Sequence, residues 1–190
     1  VQENAIDFAW FADSSFTLQK GEITLGSGKK IQLRCYFHLQ NIDIWANAIN
    51  YMKDAIRHHS EWIGEYPYAS VTVVDGPQGF AGGMEYPTIT ILSDVKTPKE
   101  LDLLIFHEIG HNWFQASLAT NERKHPWMDE GMNTYYDQRY ALQKYPFKEG
   151  KRSIGQLFSD PRLPELLLRN QVNMNKDQPL RTPSDSLTQA

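Results

Sequence analysis

The tightest constraint on this chain is the segment His107-Glu108-Ile109-Gly110-His111, set inside a helix whose start is written into the sequence. Thr97 can cap the helix, Pro98 suits its first position, and Glu100 completes a capping box. The runs Leu103-Leu104-Ile105-Phe106 and Trp113-Phe114 can bury the helix on either side of the motif and hold its polar side chains rigid. The helix is expected to run from Thr97 to about Leu118. Residues four apart share a helix face, so both imidazoles can reach one ion. Neutral imidazole suits Zn²⁺ at about 2.0–2.1 Å, and Glu108 beside the two rings can take a proton from water held there. The bland alternative is a helix with two surface histidines and a glutamate; the capped start and the apolar flanks weigh against it.

A catalytic zinc usually takes three protein ligands and leaves a fourth position for water. Glu130, in Trp127-Met128-Asp129-Glu130-Gly131-Met132-Asn133, is the candidate third ligand, separated from His111 by eighteen residues (112 through 129). A helix end, a loop and a returning helix fit in that gap. Asp129 is a rival that chemistry alone leaves open, its alternative role being a helix-start acid facing solvent. Asp137 lies seven residues beyond Glu130, two turns along the same face. It is a candidate to accept the second N–H of a ligating histidine, His111 first, against a role as a solvated acid. Upstream, Gly82-Gly83-Met84-Glu85-Tyr86 precedes a strand-like run. Two glycines let a backbone approach closely, an exposed strand edge can pair with an extended peptide, and Glu85 can hold a cationic group.

The rest of the chain frames these motifs. Its 190 residues suit one domain, and 41% hydrophobic with 22% charged residues allow a sizeable core. A net charge of −4 and the lack of a basic stripe exclude an ordinary nucleic-acid binder. No apolar run approaches the roughly 20 residues of a membrane span. The single Cys35 makes no internal disulfide and is expected to be a small buried hydrophobe. The sequence leaves the compartment open.

Residues 1–40 read as a β-rich lead-in. It holds a short apolar run Ile6–Trp10, then alternating segments 16–25 and 30–39 joined by a turn at Gly26-Ser27-Gly28. Trp45, Ala48, Ile49, Met52, Ile56, His59 and Ile63 recur at helical spacing up to Gly64. Strands are expected over 71–74 and 88–92, and a helix from about Trp127 to before Pro146. Shorter helical pieces broken by Pro161 and Pro164 should follow, and the catalytic core is taken as 41–170. A polar tail covers 171–190. His38 reads as structural, His59 as part of the apolar helix stripe, His58 as a capping or water-facing residue, and His125 as a loop residue. Trp10, Trp45, Trp62 and Trp113 read as core, and Tyr135, Tyr136, Tyr140 and Tyr145 as helix packing.

Taken in order, Gly82-Gly83-Met84-Glu85-Tyr86, then His107 to Phe114, then Trp127 to Gly131 resemble the aminopeptidase N and leukotriene A4 hydrolase family of zinc metallopeptidases. Its pattern is G-x-M-E-N, then H-E-x-x-H, eighteen residues, then E. The likeness is detailed over 82–137 and weaker over 1–145. It implies an α+β, thermolysin-like catalytic domain in which N-terminal β segments precede the zinc-binding helices. It implies one Zn²⁺ held by His107, His111 and Glu130, with Glu108 as general base. It further implies that Glu85 binds the free α-amino group of peptide substrates, that Gly82, Gly83 and Met84 line the substrate strand, and that Asp137 supports a zinc-bound histidine. Tyr86 departs from the family's asparagine. The family's oxyanion-stabilising tyrosine would fall just past Ala190, its helical C-terminal domain is expected to be absent, and its N-terminal β domain is expected to be mostly absent. The chain therefore reads as a fragment, starting at Val1, of a larger aminopeptidase against whose other domains it packs. A zinc endopeptidase would share the metal site without needing Glu85, and a non-catalytic peptide-binding module would not need all four of His107, Glu108, His111 and Glu130.

Overall fold

The computed structural model describes residues 3–79, 82–146 and 163–187. They fall into two compact units, Val1–Thr120 and Asn121–Ala190.

In the first unit, β1 (Phe16–Thr24) and β2 (Lys30–His38) form the expected hairpin, paired from Phe16↔His38 to Thr24↔Lys30. Gly28 takes a left-handed φ of 89° in its turn, a conformation open to a residue without Cβ. A short helix α1 (Ile42–Trp45) and the long α2 (Ala48–Trp62) cross over to β3 (Ser70–Asp75), which lies parallel to β2. Then come β4 (Gly82–Met84), β5 (Ile89–Ser93) and α3 (Pro98–His111). The sheet order is β1-β2-β3-β5-β4; β5 is parallel to β3, and β4 runs antiparallel to β5 at the edge.

Alternation decides which face is buried. Ile31, Leu33, Cys35 and Phe37 of β2 are all 1% exposed or less, and Val71, Val73 and Leu92 join them from β3 and β5. Met52, Ala55, Ile56 and His59 of α2 are also fully buried, one stripe of that helix. Trp45 stacks on Phe37 at 6.3 Å. Cys35 is buried as expected, and desolvation pushes its thiol well above the ordinary range. On the opposite phase, Arg34, Tyr36, Thr72 and Val74 line an open cleft of about 770 Å³ together with residues of the N-terminal segment.

That segment corrects one expectation. Residues 6–10 form no strand, and Trp10 is 73% exposed rather than core, with Phe8 at 80%. Five residues without a pairing partner cannot satisfy a strand's backbone groups, so the apolar run alone is not enough. His38 is structural, as read. Its backbone N–H and the Asn41 amide both donate to Asp75 Oδ2, and its Nδ1 lies 3.1 Å from the same oxygen.

The capped start of α3 is present. Thr97 Oγ1 accepts from the Glu100 N–H at 3.2 Å, while the Glu100 carboxylate reaches back one residue further than expected, to the Lys96 N–H at 2.9 Å. The α-helix ends at His111 rather than near Leu118. Asn112–Ser117 continues as a widened π turn, a form that recurs beside functional sites.

In the second unit, a π turn Trp127–Gly131 leads into α4 (Met132–Lys144), which stops before Pro146 as expected. Tyr140 is fully buried, whereas Tyr135 is 63% exposed, its ring set edge-on to Tyr136 at 5.1 Å. The next helix, α5, spans Leu163–Asn173. Pro164 opens this helix instead of breaking it, because a proline in the first turn removes an N–H that has no helical acceptor. Pro161 lies outside the described residues.

Candidate active site

The site in the first unit is built from the last two turns of α3 and from the β4–β5 edge. The Nε2 atoms of His107 and His111 stand 3.1 Å apart, with the rings nearly perpendicular at 87°. Two nitrogens bound to one tetrahedral Zn²⁺ would stand about 3.3 Å apart, given bonds of about 2.0–2.1 Å. The pair is therefore already at the spacing that one such ion requires. His111 is 1% exposed, so its ring is fixed by packing, and His107 is half-buried.

Packing behind the motif holds α3 in place. His59 of α2 stacks on Phe106 at 4.1 Å and on Trp113 at 5.1 Å, and its Nδ1 lies 3.0 Å from the Ala55 carbonyl oxygen. Burial drives its pKa down to about 3, so the ring is neutral. Trp113 Nε1 donates to the Gly64 carbonyl at 2.8 Å, which ties the π turn to the end of α2.

Glu108 is 3% exposed. Desolvation pushes its pKa up to about 7; the Glu85 charge adds to the rise, while His107, His111 and a Thr90 hydrogen bond oppose it. A buried carboxyl poised there is suited to proton transfer near neutral pH. The α-carbon of Gly83 lies directly against its side chain; a Cβ at that position would come 2.8 Å from Glu108 Cγ and collide with the carboxylate itself. Glu85, half-buried one residue beyond β4, is near enough for its charge to act on Glu108. The first unit thus brings together His107, His111, Glu108, Gly83 and Glu85.

Two polar residues escaped the sequence reading. Thr90 of β5 is 3% exposed, and its hydroxyl lies 2.9 Å from the Met84 carbonyl and 3.2 Å from Glu108 Oε2. Its only signal was a polar side chain at a buried phase of an otherwise apolar strand. Asn112 accepts from the Thr88 N–H at 2.9 Å and donates to the Ile109 carbonyl at 3.0 Å. It thereby fastens the segment after Glu85 to the end of α3. Thr88 holds a left-handed φ of 64°, unusual for a β-branched residue.

In the second unit, Asp129 and Glu130 lie on the π turn, the first buried and the second exposed. Asp137 is half-buried on α4.

No family model matches the chain. Over 96 residues it is 34% identical to a leucine aminopeptidase 2 of Aspergillus oryzae, covering 47% of this chain and 15% of the relative. Over 85 residues it is 27% identical to human aminopeptidase RNPEPL1, covering 43% of this chain and 12% of that protein. The chain thus spans only a small part of the curated relatives it matches. Among solved structures it is similar to an M1 zinc metallopeptidase of Deinococcus radiodurans, with a TM-score of 0.61 at 17% identity, covering 88% of this chain and 35% of that one. A form of that enzyme bound to a Tyr-Ser-Ala substrate gives the same score. At such identity the likeness is one of fold. In sequence over about half its length the chain is similar to aminopeptidases, and in fold over most of it to an M1 zinc metallopeptidase, the resemblance its motifs had suggested.

Proposed function

We propose that this chain carries the catalytic centre of a zinc aminopeptidase, which hydrolyses the first peptide bond of substrates with a free N-terminus. The observation that carries the reading is the pair of imidazole nitrogens 3.1 Å apart with a buried carboxyl between them in sequence. His107, His111 and Glu130 would hold the ion; Glu130 enters on its eighteen-residue spacing and on the family resemblance. Zinc bound there supplies a Lewis acid that makes water a better nucleophile and polarises a carbonyl.

The chain's own residues do the rest. Glu108 accepts the proton of the attacking water on its carboxylate and delivers it to the departing amine. Its burial and the neighbouring Glu85 charge keep that carboxylate basic enough for the task. Glu85 pairs with the substrate's α-ammonium, so that only the first peptide bond reaches the reacting centre. Gly82, Gly83 and Met84 offer the outer edge of β4 to the substrate main chain. Asp137 supports a zinc-bound histidine from outside.

Two substitutions in the full-length protein test this. Glu108→Gln should retain stoichiometric zinc, measured by metal analysis, and lose at least ~10³-fold in kcat. Near-normal turnover would remove the general-base role. Glu85→Ala should weaken hydrolysis of free-amine peptides far more than of N-blocked ones. Equal losses on both would argue for an endopeptidase.

A further inference from the structure

We infer that Thr90 is a positioning residue for the reaction: its hydroxyl sets the orientation of the Glu108 carboxylate and couples it to the strand that the substrate would lie on. The inference rests on the general-base reading of Glu108.

Thr90 is the second residue of β5, paired with Val73 of β3. Its side chain shares the buried face with Leu92, which is fully inaccessible. On this face a valine would fill the same volume, and a hydroxyl without a partner would be costly. Its partners are two oxygens from different elements. One is the Met84 carbonyl of β4, at 2.9 Å; the other is Glu108 Oε2 of α3, at 3.2 Å. One hydroxyl hydrogen is shared between both acceptors. β-Branching leaves Thr90 few rotamers, so the hydroxyl is a fixed point.

The consequence is a carboxylate gripped from two sides. Oε2 is anchored by Thr90, and Gly83 presses on the remainder of the group from β4. Glu has three rotatable side-chain bonds, and in a buried site with only carbon neighbours its carboxylate would turn through a broad terminal torsion. With Oε2 anchored, that torsion is restricted and the plane of the base is set relative to β4. Met84 precedes Glu85, so the same hydroxyl ties the base to the element proposed to seat the substrate's N-terminus. A misplacement of about 1 Å in a reacting group can cost on the order of 10²-fold in rate.

The test compares Thr90→Val and Thr90→Ser in the full-length enzyme, with Glu108→Gln as reference. Thr90→Val keeps the shape and removes the hydroxyl. It should lower kcat by about 10- to 100-fold, with KM within about 3-fold and zinc content unchanged. Thr90→Ser keeps the hydroxyl and should restore kcat to within about 5-fold of the parent. A structural role alone would move Tm and would not be rescued by serine. The inference is overturned if Thr90→Val retains parental kcat, if serine falls as far as valine, or if the loss lies in KM. Should Glu108→Gln itself stay active, the general-base reading fails and the Thr90 role fails with it. If Glu108→Gln is inactive while Thr90→Val is not, only the Thr90 role is lost.

Discussion

A single buried imidazole links stability to pH. His59 is stacked between Phe106 and Trp113 and remains neutral, with its pKa lowered from 6.5 to about 3 by burial. The unfolded chain takes up that proton near pH 6.5, so below this value the unfolded state binds more protons than the folded one. The contribution of His59 is therefore complete above pH 6.5 and is lost as pH falls toward 3. His59→Phe keeps an aromatic ring in the stack and removes the proton uptake. Denaturant unfolding between pH 6 and 4 should then show a slope shallower than the parent's by up to about 1.4 kcal/mol per pH unit. Parallel slopes would refute the assignment. At this scale the sequence was informative wherever chemistry depends on spacing: His107 and His111 converge because four residues make a helical turn. Thr90 and Asn112 were not legible, because each acts on a partner 18 or 24 positions away, and only the folded strand order brings those positions together.

Among elements, α3 was the most legible and its ending the least. Thr97, Pro98 and Glu100 are local signals, and the helix begins where they stand. Its end depends on a tertiary bond: Asn112 turns from the helix to the Thr88 N–H, and Trp113 donates to Gly64. Periodicity continues through Trp113 and Phe114, so the change to a π turn has no local mark. Asn112→Ala should leave the Thr88 N–H without its acceptor while Thr88 still holds a strained φ of 64°. The expected cost is about 1–3 kcal/mol of unfolding free energy. Amide hydrogen exchange should also be faster at Thr88 than in the parent. Unchanged exchange there would mean that the bond does not hold the segment.

Over the whole molecule, the order of elements was readable and their adjacency was not. Strand periodicity marked β1, β2, β3 and β5, but nothing in it said that β3 would lie between β2 and β5, or that β4 would lie outermost. Hydrophobic content was misleading at Phe8 and Trp10, which stand in solvent although their residue types favour burial. Pairing topology comes from which faces must be covered. Here α2 and α3 follow the strands whose inward residues they cover, and the sheet's opposite phase is left to a cleft.

The outermost strand has a consequence of its own. Gly82–Met84 is three residues long, about 10 Å of extended backbone. On the proposed reading, a guest laid along this rail would be held by main-chain groups, and everything beyond them would hang free. Grip of this kind would be indifferent to the length of the tail. It would also disfavour a terminus already folded into a helix or domain, because such a terminus has no spare backbone to offer. Selection at this edge would therefore act on whether a chain end is loose more than on what is written further along it.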